Sequence, residues 1–137
     1  MKRISKIFIL VVVSALFVII FVFAESITAS LQSGIVVLGC GKYLGHYPLG
    51  SIVKHRYTII NIQFQQNTIY LVERTCSCSE LYVSRYHIPS FSTATIDVST
   101  DTKGKKIGPY TSAIIVKMAN GSQRLCQFHI HIDKIIQ

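Results

Sequence analysis

Two runs of alternating apolar and polar residues near the C-terminus most constrain what this chain can fold into. Thr111–Met118 and Gln123–Ile132 are separated by the segment Ala119-Asn120-Gly121-Ser122. An Asn-Gly pair between two such runs is the strongest short signal for a β-hairpin. Successive side chains of a strand point to opposite faces. We therefore expect one face of the last strand to carry Cys126, Phe128, Ile130 and Ile132, and the other face Gln127, His129 and His131.

Four further β patterns precede this hairpin. They are Ile35–Leu38, Ser51–Gln63, Thr68–Arg74 and Thr93–Thr100. The glycine-rich segment 39–50 is predicted to be a loop, and segment 101–110 a turn or loop. About six or seven short strands with regularly spaced turns predict an all-β fold, an immunoglobulin-like β-sandwich over residues 35–137. The pattern alone leaves a barrel open, and the chain lacks the tryptophan that antibody domains bury.

The N-terminus has a different character. Residues 7–24 (IFILVVVSALFVIIFVFA) are uncharged and follow Lys2, Arg3 and Lys6. A helix of about 18 or more apolar residues can cross a bilayer, and a basic flank stays in the cytoplasm. We expect residues 1–24 to be a signal anchor with one transmembrane helix, or a signal peptide cleaved after Ala24.

The segment that follows is small and polar, and residues 25–34 are predicted to be a short tether. Either fate of the N-terminus places the following domain outside the cytoplasm. The chain is then a single-pass cell-membrane protein, or an exported protein if it is cleaved. Both the periplasm and the outer cell surface are compatible with this topology.

The chain is basic, with a formal net charge of +8. After Ala24 its basic residues are scattered, except for Lys103, Lys105 and Lys106 in a glycine-containing turn. Nucleic-acid binding requires a basic stripe with elements that read or stack on bases, so we expect no nucleic-acid partner. A solvated basic surface instead favours an envelope protein or an anionic polymer as partner.

Four segments resemble, in order and spacing, the domain of unknown function 1573 family. They are GSIVKHRYTIIN (50–61), TCSCS (75–79), IPSFSTATIDVST (88–100) and KKIGPYTSAIIVK (105–117). The resemblance implies an exported bacterial domain with an immunoglobulin-like sandwich and no defined activity. The chain departs from the family pattern twice: the family's Cys-Gly-Cys is Cys76-Ser77-Cys78 here, and its Pro-Gly turn is Pro89-Ser90.

The four cysteines are Cys40, Cys76, Cys78 and Cys126. Four cysteines in an oxidising compartment predict disulfides, with three pairings open. Cys40 and Cys126 could meet, because the first and last strands of such sandwiches are often neighbours. Cys76 and Cys78 could then pair within a tight loop or remain thiols at a structural corner. A structural role of the cysteines is the favoured interpretation.

Metal binding is the alternative role for the Cys-x-Cys pair. Cys76 and Cys78 are one residue apart on extended backbone, so their side chains face the same way. Two thiolates on one face could hold a soft ion, Cu(I) or Zn(II). His129 and His131 are the co-ligands with matching spacing, and His87 is a further candidate. A redox-active pair is a third interpretation, although the helix N-terminus that usually activates such cysteines is not predicted here.

Catalysis has no motif behind it. The sequence contains no Gly-x-Ser-x-Gly, no His-Glu-x-x-His and no phosphate-binding loop. We therefore predict no enzymatic activity and no obligatory cofactor. The predicted function is a structural or protein-interaction role at the cell envelope, and the alternative is a metal-binding envelope protein that uses the Cys-x-Cys pair.

Overall fold

A computed structural model describes residues 34–134, which form an all-β arrangement of nine strands in two sheets. The predicted membrane segment 7–24 and tether residues 25–33 lie outside the described residues. Within residues 34–134, no helix is long and apolar enough to cross a membrane.

The strands in chain order are β1 Ile35–Leu38, β2 Lys42–Pro48, β3 Ile52–Asn61, β4 Asn67–Arg74, β5 Ser79–Val83, β6 His87–Ile88, β7 Thr93–Asp101, β8 Gly108–Met118 and β9 Gln123–Asp133. The first sheet has the order β1-β3-β7-β5 and is antiparallel. The second sheet has the order β2-β9-β8-β4-β6, in which β2 runs parallel to β9.

The core lies between the two sheets, and the alternation of the strands explains it. On β9, Cys126, Phe128, Ile130 and Ile132 are buried, whereas His129 and His131 on the alternate positions are half-buried. The inward residues of β3, β7 and β8 complete the same hydrophobic cluster. Fully burying a large apolar side chain contributes about 1.5–3 kcal/mol, so this sandwich-like packing is the main source of stability.

The predicted loop over residues 39–50 is wrong, because β2 occupies most of it. Strand β2 pairs with β9 on both sides of a register shift between Tyr43 and His46. Gly45 lies in this shift with a φ of 102°, a conformation that favours glycine. The glycine therefore marks a bulge within a strand and not a loop.

Two other elements were missed at the sheet edges. Strands β5 and β6 have five and two residues, and β5 exposes Glu80 and Tyr82 on its outer side. The predicted turn over residues 101–110 is shorter than expected, because β8 already begins at Gly108. Short edge strands bury one face only, so their sequences carry a weak hydrophobic pattern.

A buried asparagine holds the turns at the end of the sandwich where β3 finishes. The Asn61 side-chain amide donates to the carbonyl oxygens of Gln65 (2.7 Å), Ile88 (3.1 Å) and Pro89 (2.9 Å). In the adjoining Pro89 turn, the residue with a positive φ (51°) is Phe91 and not Ser90. Position 90, where the family resemblance implies glycine, therefore does not adopt the left-handed backbone that would favour glycine over Ser90.

Candidate functional site

The Cys-x-Cys corner lies between the end of β4 and the start of β5. Cys76 and Cys78 form a disulfide there, with their Cα atoms 5.2 Å apart. The corner is fixed by backbone hydrogen bonds from Ser79 N to Cys76 O (3.3 Å) and from Asp101 N to Cys78 O (3.0 Å). Both cysteines are half-buried, so solvent reaches the pair from one side.

Polar groups surround the two sulfur atoms. The Lys105 ammonium donates to Cys76 Sγ at 3.1 Å and lies 5.3 Å from the centre of the Tyr110 ring. The Tyr110 hydroxyl lies 3.4 Å from Cys78 Sγ. A cation beside a cysteine sulfur stabilises its thiolate form. The corner is therefore electropositive, and a thiolate released at Cys76 would have a counter-ion already in place.

A cluster of three buried hydroxyls lies beneath the corner. Ser79 Oγ is 2.8 Å from Thr100 Oγ1 and 3.5 Å from Ser112 Oγ, and the last two oxygens are 3.3 Å apart. Ser79 and Thr100 belong to the first sheet and Ser112 to the second. Buried hydroxyls need hydrogen-bond partners, and these three supply one another's. The cluster thus joins the two sheets at the Cys-x-Cys end.

The second disulfide joins Cys40 to Cys126 across 86 residues of sequence. Cys40 is exposed in the β1–β2 turn, whereas Cys126 is 2% exposed on β9. Gly41 N also donates to Gln127 O at 2.7 Å, so the turn and β9 are joined by backbone as well. Of the three pairings that the sequence left open, the structure therefore has Cys40–Cys126 and Cys76–Cys78.

The two histidines considered as metal ligands do not meet the Cys-x-Cys pair. His129 Nδ1 lies 2.9 Å from Thr111 Oγ1 on the outer face of the second sheet. Tyr110, which contacts Cys78, alternates with Thr111 and lies on the inner side with buried Ser112. The sheet therefore separates the cysteine corner from His129 and His131, and both sulfurs are engaged in a disulfide.

Some residues at these sites were not found from the sequence. Lys105 and Tyr110 were assigned to a turn or loop, yet they contact the two sulfurs of the corner. His131 has His46 and Asp133 as its neighbours. No local signal marks the contacts of Lys105, Tyr110 and His46, because their partners are distant in sequence. Strand alternation alone places His131 and Asp133 on one face, and only the interpretation of Gly45 as a bulge would have placed His46 on a strand.

The outer face of the first sheet carries a shallow depression of about 470 Å³. Arg56 and Asp97 are paired on its floor by two hydrogen bonds, of 2.6 and 3.0 Å. The hydrogen bond from Arg56 holds the pKa of the Asp97 carboxyl below its ordinary value. The two charges neutralise each other, and exposed Lys54 is the remaining lysine, arginine or carboxylate among the residues that line the depression.

No family model and no curated protein matches the chain. Its fold is similar to that of several solved structures. A protein of unknown function from Porphyromonas gingivalis W83 is 12% identical with a TM-score of 0.61, over 71% of this chain and 46% of that one. The VesB protease of Vibrio cholerae is 17% identical with a TM-score of 0.57, over 81% of this chain and 35% of that one.

A third structure is the ASH / PapD-like domain of human CEP192. It is 8% identical with a TM-score of 0.56, over 75% of this chain and 87% of that one. The chain spans less than half the length of the bacterial proteins named above. At these identities the likeness shows the fold alone. The activities of those proteins are therefore not assigned to this chain.

Proposed function

We propose that this chain is a membrane-tethered, extracytoplasmic module of immunoglobulin-like fold with a non-enzymatic structural or protein-interaction role at the cell envelope. The observation that carries the proposal is the pair of disulfides, which use all four cysteines of the chain. Disulfides form and persist in oxidising compartments and are rare in the cytosol. The apolar segment 7–24 would hold the domain at the membrane as a signal anchor, and would direct its export if it is instead a signal peptide that is removed.

The strand order supports the immunoglobulin-like assignment. Constant-type immunoglobulin domains place strands A, B, E and D in one sheet and C, F and G in the other. The first sheet here, β1-β3-β7-β5, follows the order A-B-E-D, and the second contains G, F and C as β9, β8 and β4. The resemblance to the domain of unknown function 1573 family is part of the same proposal.

The surface supports contacts with a partner. Edge strand β5 presents Tyr82 at 66% exposure beside Glu80, and the loop before β8 presents Ile107 at 56% exposure. Lys103 and Lys106 are exposed in the same loop. Aromatic residues surrounded by polar groups are typical of protein-interaction sites, and a basic loop attracts anionic polymers.

Fractionation combined with thiol trapping tests this proposal. The full chain should remain in the membrane fraction after an alkaline wash, and protease added outside spheroplasts should degrade its C-terminal domain. A maleimide should label no cysteine until the chain is reduced. The control lacks residues 1–24 and should accumulate in the cytoplasm with four reactive thiols. A full-length chain that behaves like this control would overturn the proposal.

Cleavage after Ala24 is decided by the intact mass of the membrane-extracted or released chain. The full mass indicates a signal anchor, and the loss of residues 1–24 indicates a signal peptide. Both outcomes keep the domain outside the cytoplasm.

A further inference from the structure

Two histidines and a carboxylate meet on the outer face of the second sheet. We propose that His46, His131 and Asp133 bind a divalent first-row transition metal ion, of the class of Zn²⁺ or Cu²⁺. This inference goes beyond the proposed function and uses neither cysteine pair.

The geometry of the parallel strands β2 and β9 creates the group. His46 lies opposite His131 in the register, and Pro48 lies opposite Asp133. His46 Nδ1 is 3.1 and 3.2 Å from the two Asp133 carboxylate oxygens, and His131 Nε2 is 3.9 Å from the nearer one. The two imidazole ring centres are 4.8 Å apart, and one ligand atom from each residue lies within 4.8 Å of the others.

The bulge at Gly45 is what brings His46 to this position. The shift in register between Tyr43 and His46 inserts an extra residue into β2. Tyr43 lies opposite His129, and His46 lies opposite His131. An advance of three residues along β2 therefore corresponds to an advance of two residues along β9. A regular strand would not hold this register, and His46 would not stand beside His131.

The spacing of the three groups fits an ion with little movement. Zn²⁺ binds imidazole nitrogen and carboxylate oxygen at about 2.0–2.2 Å, so two ligands of a tetrahedral ion are roughly 3.4 Å apart. The observed separations bracket this value, and all three side chains are partly exposed and free to rotate slightly. Three protein ligands leave a coordination position for water.

The donor set also selects the kind of metal. Imidazole suits Zn, Cu, Ni and Fe, whereas Mg²⁺ and Ca²⁺ prefer an all-oxygen shell. Among divalent ions, Cu²⁺ should bind most tightly, followed by Zn²⁺ or Ni²⁺, and Mn²⁺ should bind least. An ion here would join the C-terminal end of edge strand β2 to β9, while the Cys40–Cys126 disulfide lies beside the strand's beginning.

Calorimetric titration tests the site on the full chain, purified in mild detergent without a histidine tag. In separate titrations with excess Mg²⁺ present, we expect one Zn²⁺ per chain or one Cu²⁺ per chain. His46→Asn and Asp133→Asn should each weaken binding at least about tenfold, since even the loss of a supporting partner costs about 10–100-fold. The matched control is His129→Asn, on the same strand and face, which should bind as the wild type does.

Electron paramagnetic resonance of the Cu²⁺ form counts the ligands. The wild type and His129→Asn should show two coupled imidazole nitrogens, and His46→Asn and His131→Asn one. Unchanged thermal unfolding without metal should verify that each variant is folded. The proposal fails if the wild type binds no ion, if His46→Asn and Asp133→Asn bind like the wild type, or if His129→Asn loses binding equally.

Discussion

The two disulfides differ in how much chain they close and in what surrounds them. Cys40–Cys126 spans 86 residues, whereas Cys76–Cys78 spans two. A disulfide stabilises largely by restricting the unfolded chain, and the effect grows with the length of the closed loop. We infer that the long-range bond holds the fold, and that the corner bond contributes little to global stability.

The surroundings of the two disulfides also differ. Cys126 is buried beside Phe128 in the core, whereas the corner sulfurs are half-buried and in contact with Lys105 and Tyr110. Cys40 of the first bond is exposed in the β1–β2 turn, so the clearer difference is the Lys105 cation, which favours release of a thiolate from the second bond. The two disulfides therefore have different roles in one domain.

The largest expected effect is the loss of the long-range bond. Replacing Cys40 and Cys126 by alanine should lower the free energy of unfolding by about 4.5 kcal/mol, because it releases a closed loop of 86 residues. Denaturant unfolding of the full chain in detergent measures it. A loss below about 2 kcal/mol would contradict the inference that this bond holds the fold.

The corner bond should matter much less. Replacing Cys76 and Cys78 by alanine should cost about 1.5 kcal/mol or less, since the loop it closes is very short. The same unfolding measurement applies, with the first double variant as the reference. If the two double variants lost equal stability, the comparison drawn above would not hold.

The core between the two sheets contains a buried hydroxyl without a hydrogen-bond partner in the described part of the chain. Tyr57 is fully buried, and its Oη has no hydrogen-bond partner among residues 34–134. Leaving such a group unpaired costs about 1–3 kcal/mol, so Tyr57→Phe should stabilise the domain by about 1 kcal/mol at pH 7. Tyr82→Phe, at an exposed position, is the control and should have no effect.

The same residue predicts a pH dependence. Burial raises the pKa of Tyr57 from its ordinary value of 10.0 to about 12. The unfolded chain therefore loses this proton first, and stability that is complete below pH 10 should fall as the pH rises towards 12. Unfolding curves between these pH values should show a smaller decline in Tyr57→Phe. Parallel declines in both proteins would assign the alkaline loss to other groups.

The smallest effect concerns the rate of reduction at the corner. Lys105→Met removes the ammonium beside Cys76 Sγ while keeping a long apolar side chain next to Tyr110. Reduction of the Cys76–Cys78 bond by dithiothreitol should slow about two- to fivefold, the range of an exposed charge interaction of a few tenths to one kcal/mol. Quenched alkylation and mass analysis measure the rate. Lys106→Met should leave the rate unchanged, and an unaffected rate in Lys105→Met would remove the electrostatic distinction between the two bonds.

The sequence predicted much of the sheet framework from local patterns. The bounds of β1 agree, and the hairpin turn at Asn120-Gly121 connects β8 and β9 as expected, with Gly121 at a φ of 85°. The inward face of β9 is also confirmed. These features depend on neighbouring residues alone: alternation sets which face is buried, and the turn residues set where the chain reverses.

The candidate sites were predicted only in part. The cysteines were identified, and the structure supplied their pairing; the prediction of a loop at residues 39–50 was wrong. Lys105 contacts Cys76 from 29 residues away, and His46 meets Asp133 from 87 residues away. Nothing in the local sequence around any of these residues specifies such a contact.

By itself, the sequence determined the approximate positions of β1, β3, β4, β7, β8 and β9, which side chains β9 buries and where the final hairpin turns. Only the tertiary structure decided that β2 runs parallel to β9, that Cys40 bonds Cys126, and that His46, His131 and Asp133 share one surface. The physical reason is that alternation and turn chemistry act over a few residues, whereas strand order and register are fixed when two complete sheets bury their apolar faces against each other.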